Sequence, residues 1–241
     1  MANASLKGLV GHWPLDEGQG TTTRDRSPNG LDGSIHGAKW VDDANGQVLE
    51  FQPNGSWIEI PHDPKLDIGQ DITISAWVWK RASNDAKRWD GVVTKGPVEF
   101  VEPDHIRYEL MLSQVNSDEI AFFAGSATPP AAWSGRAVPA REWTHIAFVR
   151  KGDVGQFYLN GAPTERYRIQ LGKDPGHLGE GEGFLVTNVE FAGVMESASP
   201  DSNLYIGWDG NAGHGMDGRI RDVYLYDRAL DDEEMKTLSG V

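Results

Sequence analysis

The sequence contains no cysteine, which excludes disulfides, thiolate metal sites and thiol nucleophiles together. No apolar run approaches the roughly 20 residues that a membrane-spanning helix needs, so membrane insertion is not expected, and no signal-peptide pattern opens the chain. Basic residues are in deficit. Against 36 Asp and Glu stand 22 Lys and Arg, a formal net charge of -14 at pH 7. That balance argues against nucleic acid and anionic membranes as partners, and suits neutral ligands or cations. Catalytic signatures are missing as well: there is no H-E-x-x-H, nucleophile elbow or P-loop, each of which needs fixed spacing to bring its groups together. What is abundant is glycine (29) and proline (13), with 10% aromatics. This favours short strands joined by many turns over a helical fold. All-β sandwiches of about this length form one domain, and residues 1–241 show no linker or repeat, so a single domain is expected.

The chain is organised around Leu204 to Leu238, which reads as strand, glycine-rich loop, strand and one short helix. Along Ile220 to Asp227, alternation puts Ile220, Asp222, Tyr224 and Tyr226 on one face and Arg221, Val223, Leu225 and Asp227 on the other. Asp231 sits where a helix N-cap belongs, and Glu234 three residues on completes an acidic capping box. Gly8 to Leu15 reads as the first strand. Gly46 to Pro61 reads as two strands around a Pro-Asn-Gly turn. Ile72 to Val78 alternates Ile, Ile, Ala and Val with Thr, Ser and Trp, as a strand inside a two-sheet sandwich does. Arg141 to Arg150 and Gly155 to Gly161 form a hairpin across Gly152-Asp153.

These blocks carry a resemblance. Gly218, Ile220, Asp222, Val223, Leu225, Tyr226, Arg228, Ala229, Leu230, Glu233, Glu234 and Met235 resemble the closing pattern of laminin-G-like, concanavalin A-type jelly rolls, with Arg221 replacing an acid. Trp13, Leu15, Asp16, Glu17, Gly18 and Gly20, then Asp25, Ser27, Asn29 and Gly30, resemble the family's opening. The resemblance implies an all-β fold, a two-sheet antiparallel β-sandwich with one short C-terminal helix. It also implies a lectin-like, carbohydrate-binding role, an extracellular or cell-surface setting, and a larger multidomain parent.

In such domains a structural calcium often ties the N-terminal loop to the last long strand. Here its ligands would be Asp25, Ser27, Asn29 and Asp222, since hard cations take carboxylate and amide oxygens from bent loops. The competing reading is an Asx turn at Asp25, with Asp222 paired to an arginine. Glycan is the expected ligand. The loop Trp208 to Met216 carries Trp208, Asp209, Asn211 and His214 on a glycine-rich frame at the end of a strand. An indole face suits the C–H-rich side of a pyranose, while Asp, Asn and His bond hydroxyls. Trp89 and Trp133, in two other loops rich in polar residues, would add platforms, while Trp13, Trp77 and Trp143 are packing residues.

No catalytic constellation is expected. The E-x-D-x-E strand of hydrolytic relatives is absent. Glu99, Glu102, Asp104 and Glu109 read as a solvated loop edge. His105, Arg107 and Tyr108 have the residue types of a polysaccharide lyase, yet adjacent strand residues point to opposite faces. His12 and His145 read as structural. A lyase-type enzyme and a protein-adhesion domain remain the alternatives to the lectin-like reading. The long loops 82–96 and 162–203 are candidates for binding ligand or partner.

Overall fold

The computed structural model describes residues 6–44, 46–82, 89–96, 106–113, 118–125, 127, 131–164, 167–170, 184–186, 189–196, 199–210 and 214–241. These form two antiparallel sheets and one short helix. The first sheet holds β1 (Leu9–Trp13), β4 (Lys39–Asp43), β5 (Gly46–Phe51), β7 (Ile72–Lys80), β12 (Thr144–Lys151), β13 (Val154–Leu159), β14 (Ala162–Pro163), β17 (Val189–Glu190) and β19 (Gly218–Tyr226). The second holds β2 (Thr22–Thr23), β3 (Gly33–His36), β6 (Trp57–Ile60), β8 (Trp89–Lys95), β9 (Tyr108–Ser113), β10 (Glu119–Phe123), β11 (Ala131–Ala137), β15 (Tyr167–Gln170), β16 (Phe184–Val186) and β18 (Leu204–Ile206). Within the second sheet the path runs β16-β15-β11-β10-β9-β8-β18-β6-β3-β2.

The core lies between the sheets because alternation turns one row of each strand inward. Ile72, Ile74, Ala76 and Val78 of β7 face Leu110, Leu112, Ile120 and Phe122 of β9 and β10. Phe122 stacks on Phe148 across the gap at 3.8 Å, with Phe157 and Phe191 closing around it. Trp13 is fully buried, and its indole N–H donates to the Leu31 carbonyl at 2.7 Å. The helix α1 (Asp232–Ser239) starts as the sequence predicts: Asp231 caps it, Glu234 answers in a capping box, and Gly240 ends it in the left-handed conformation. Met235 and Leu238 lie over Leu9, Ala147, Val149 and Tyr226, so the helix covers part of the outer face of the first sheet.

Strict alternation fails in β19, and a bulge is the reason. Ile220, Val223 and Leu225 all belong to the core, although Ile220 and Val223 are three residues apart. The register with β7 jumps between Arg221 and Tyr224, and Asp222 takes a positive φ of 49°. An extra residue in one strand resets which side chains face inward. Asp222 therefore lies at the bulge, with its side chain 35% exposed and its carboxylate 3.6 Å from His12, the ring on which Tyr224 stacks.

Two further expectations change. Trp77 and Trp143 are not core residues; both are half-buried on the outer face of the first sheet, beside Arg221. Glu109 is not at a solvated edge. It sits in β9 and is buried, because the Tyr108, Leu110 and Leu112 row faces the core and forces Glu109 to the opposite face. Glu99, Glu102, Asp104 and His105 lie outside the described residues, as does most of the two long loops.

Candidate functional site

The outer face of the second sheet gathers the chemistry. Cross-strand pairing lines up Ser34, Glu59, Tyr205, Thr94, Glu109 and Phe123 in one row across six strands. The next row begins with His36 opposite Trp57 and ends with Gly91, Met111, Ala121 and Trp133. Residues of a row share a face and sit within reach of one another.

After β18 the chain turns at Gly207 and lays Trp208 and Asp209 across β8. The approach is close. A Cβ on Gly91 would meet the Asp209 nitrogen and the Trp208 carbonyl carbon at 2.6 Å, so glycine is required there. The Gly91 N–H donates to the His214 carbonyl at 3.0 Å, which fixes the far end of the same loop.

This packing assembles a run of rings. His36 stacks on Trp57 at 4.9 Å, Trp57 meets Trp208 at 4.9 Å, and Tyr205 meets Trp208 edge-on at 5.8 Å. Trp57, Trp208 and His36 are half-buried, each with surface still open. Polar groups flank the rings. Asn203 donates to Glu59 at 2.6 Å, and the second Glu59 oxygen lies 3.4 Å from His36. Asp209 is buried and 2.6 Å from the His214 ring nitrogen.

Beneath the loop, Thr94 donates to Glu109 at 2.9 Å. Burial, with the nearby Asp209 carboxylate second, pushes the Glu109 carboxyl well above its usual range. Glu109 thus holds its proton well beyond the ordinary carboxyl range, buried beside the Asp209–His214 pair.

Of the residues expected from the sequence, Trp208, Asp209 and His214 come together here, and Asn211 lies outside the described residues. Trp89 and Trp133 share the face but stand in strands β8 and β11, not in loops. They pack on each other and on Phe123, with centroids 5.9–6.5 Å apart. Trp133 is fully buried and Trp89 is 9% exposed. The face thus has a covered half, β8 to β11, and an open half, β3, β6 and β18. Sequence reasoning missed Trp57, Glu59 and His36. The signal was there: Ile58 and Ile60 alternate with Trp57 and Glu59, which points the latter pair outward.

The residues of the implied calcium site do not fit a cation as they stand. One Asp25 oxygen accepts the N–H groups of His12 (2.9 Å) and Ser27 (2.8 Å). The other receives the Leu31 N–H (2.8 Å) and the Ser27 hydroxyl (2.6 Å). Asn29 donates its amide to the Val10 carbonyl at 2.8 Å. A carboxylate offers about four lone-pair positions, and protein donors take them all. Among the described residues, no group of three or more His, Asp or Glu could hold a metal ion. Asp25→Ala should cost at least about 2 kcal/mol by orphaning several donors, while a chelator should leave the wild-type melting curve in place. A chelator-induced fall in melting temperature that vanishes in Asp25→Ala would restore the calcium reading.

Of the residues in the lyase reading, His105 lies outside the described residues, and Tyr108 and Arg107 are engaged inside the fold. The Tyr108 hydroxyl donates to the Leu66 carbonyl inside the core at 2.9 Å, and Arg107 is held by Asp67 and the Met195 carbonyl.

Comparison with known proteins follows the fold. The concanavalin A-like lectin/glucanases superfamily matches residues 52–180, more than half of the chain. The chain belongs to that superfamily. Among solved structures, domain 4 of the GH43 extracellular arabinanase AbnA from Geobacillus stearothermophilus, in complex with arabinotriose, superposes with a TM-score of 0.64. It is 17% identical, over 96% of this chain and 98% of that one. The binding domain of Paraclostridial Mosquitocidal Protein 1 matches at 15% identity and TM-score 0.59, over 97% of this chain and 52% of that one. Trypanosoma rangeli sialidase, in complex with a difluoro-KDN, matches at 16% and 0.60, over 97% and 32%. The chain spans about half of the second and a third of the third. At these identities the likeness is one of fold within the superfamily. No curated protein matches the sequence.

Proposed function

We propose that this chain is a non-catalytic carbohydrate-binding module that takes a glycan on the open half of the second sheet. Trp57 and Trp208 provide the stacking surface. Glu59, Asn203 and the Asp209–His214 pair provide the polar contacts. One observation carries the reading: two half-exposed indoles 4.9 Å apart lie beside carboxylates on the face of a lectin-type sandwich. Exposed indole is costly unless something stacks on it, and polar groups around it are what hydroxyls require. The solved relatives support the reading, since one is a domain in complex with arabinotriose and another a sialidase in complex with a difluoro-KDN. That this chain aligns with only part of two longer chains, and that the arabinanase is an extracellular one, supports a module of a larger, extracellular protein.

Stacking contributes roughly 0.5–1.5 kcal/mol beyond area burial, so one such site should bind weakly, near the millimolar range at about 4 kcal/mol. Trp57→Ala and Trp208→Ala should each weaken glycan binding about tenfold and leave the melting temperature close to wild type. Titration against a panel of neutral oligosaccharides, followed by indole fluorescence, measures both. Unchanged affinity in both variants removes the site. Release of reducing ends from any glycan bound removes the non-catalytic part.

A further inference from the structure

The outer face of the first sheet, on the opposite side of the sandwich, carries a second arrangement. Cross-strand pairing sets Arg219 opposite Trp79, and Arg221 opposite Trp77. The Arg219 guanidinium lies 4.8 Å over the Trp79 ring. That of Arg221 lies between two indoles, 5.1 Å from Trp77 and 4.8 Å from Trp143. All three tryptophans and both arginines are half-buried, and the helix α1 covers a different part of the face.

The two arginines differ in one respect. Arg219 is paired twice: Asp43 lies 2.7 Å from one nitrogen and Glu50 3.2 Å from another. Arg221 makes no ion pair and no side-chain hydrogen bond with any described residue, and its Nε is buried without a partner. The nearby acids are engaged elsewhere. Asp43 holds Arg219 and the Trp143 indole N–H at 3.2 Å, and Asp222 is turned to His12. An arginine left open in a chain with 36 acids and 22 basic residues is not for want of carboxylates.

We infer that Arg221, held between Trp77 and Trp143, is a second ligand site, one that reads the carboxylate of an acidic sugar. A guanidinium stacked on two rings can form hydrogen bonds only in its own plane, and that edge matches a carboxylate in bidentate fashion. The Asp43–Glu50 pair on Arg219 shows the chemistry that Arg221 lacks. Stacking fixes the arginine before the ligand arrives, so little side-chain freedom is lost on binding. The half-exposed indoles on either side fit a sugar ring better than a flexible acidic side chain.

The test is calorimetric and fluorescence titration with trigalacturonate, neutral galactotriose and a polyglutamate peptide. It uses the wild type, Arg221→Gln, Arg221→Lys and Trp208→Ala. Trigalacturonate should bind saturably and about tenfold more tightly than galactotriose, the margin expected for hydrogen bonds to a charged group. Arg221→Gln should lose that margin. Arg221→Lys, which keeps the charge and the fold but not the fork, should lose most of it. Trp208→Ala should weaken the binding of galactotriose while trigalacturonate still binds saturably, which separates this site from the one on the second sheet. Four results overturn the proposal: no saturable binding of trigalacturonate, equal affinity for the neutral trimer, wild-type affinity in either Arg221 variant, or tighter binding of polyglutamate.

Discussion

Glu109→Gln is expected to make the fold more stable at and above neutral pH, against the usual direction of a buried substitution. Glu109 is 2% exposed and close to Asp209; burial first, and the Asp209 charge second, push its carboxyl well above the ordinary value. The sign follows from the two end states. The unfolded chain releases this proton near the ordinary value of 4.5, while the fold keeps it to a much higher pH. Above pH 4.5 the unfolded state is therefore favoured, by about 1.4 kcal/mol for each pH unit until the folded group ionises. Glutamine has the same shape, can accept the same Thr94 hydrogen bond and carries no proton to lose. Its amide can also donate toward Asp209. Urea denaturation of both proteins between pH 5 and 8.5 should show curves that diverge as pH rises, the variant above. Parallel curves would mean that Glu109 ionises normally in the fold. If the variant is both more stable and weaker in glycan binding, the neutral acid is kept for the site rather than for the fold.

Much of the architecture is written locally, and the structure keeps it. The alternation of Ile72 to Val78, the hairpin at Gly152-Asp153 and the Asp231–Glu234 capping box depend on neighbours in the chain, so a pattern rule finds them. The bulge at Asp222 does not, because it depends on how β19 meets β7 and β1 at once. That one inserted residue moves Asp222 out of the core and leaves the acid at the surface. The site was legible in part. A glycine-rich loop with Trp208, Asp209 and His214 declares itself, but its partners Trp57 and His36 come from strands more than 150 residues earlier. Trp133 was misplaced for the opposite reason. Its neighbours Ser134 and Gly135 look like loop, yet Ser134 is buried and bonds the Ile120 N–H and the Arg136 carbonyl. Polarity of neighbours is a poor guide where a sheet supplies partners.

Acid should expose the opposite behaviour at His145. This imidazole is 1% exposed, meets Trp77 edge-on at 5.6 Å, and has no hydrogen-bond partner on either ring nitrogen among the described residues. Burial pulls its pKa down from 6.5 to about 4, against a smaller upward pull from Asp222. Below pH 6.5 the unfolded chain takes up a proton that the fold refuses until about pH 4, so stability is lost across that interval. The full loss is about 3 kcal/mol at the acid end. Glu109 works the other way as pH rises above 4.5, so the two slopes oppose each other in the wild type. Each single variant should therefore tilt the profile. Glu109→Gln should lose stability on acidification from pH 6.5 to 4.5, with the His145 slope no longer opposed. His145→Phe, which fills similar space beside Trp77 without nitrogens to satisfy, should gain stability over the same interval. At pH 7.5, where His145 is neutral in both states, His145→Phe should lie within about 1 kcal/mol of wild type, as volume-conserving core swaps do. Denaturation at pH 4.5, 5.5, 6.5 and 7.5 separates the outcomes. If His145→Phe tracks the wild type at every pH, His145 takes up its proton in the folded state as readily as in the unfolded one, and the buried, unpartnered imidazole is not what limits this fold in acid.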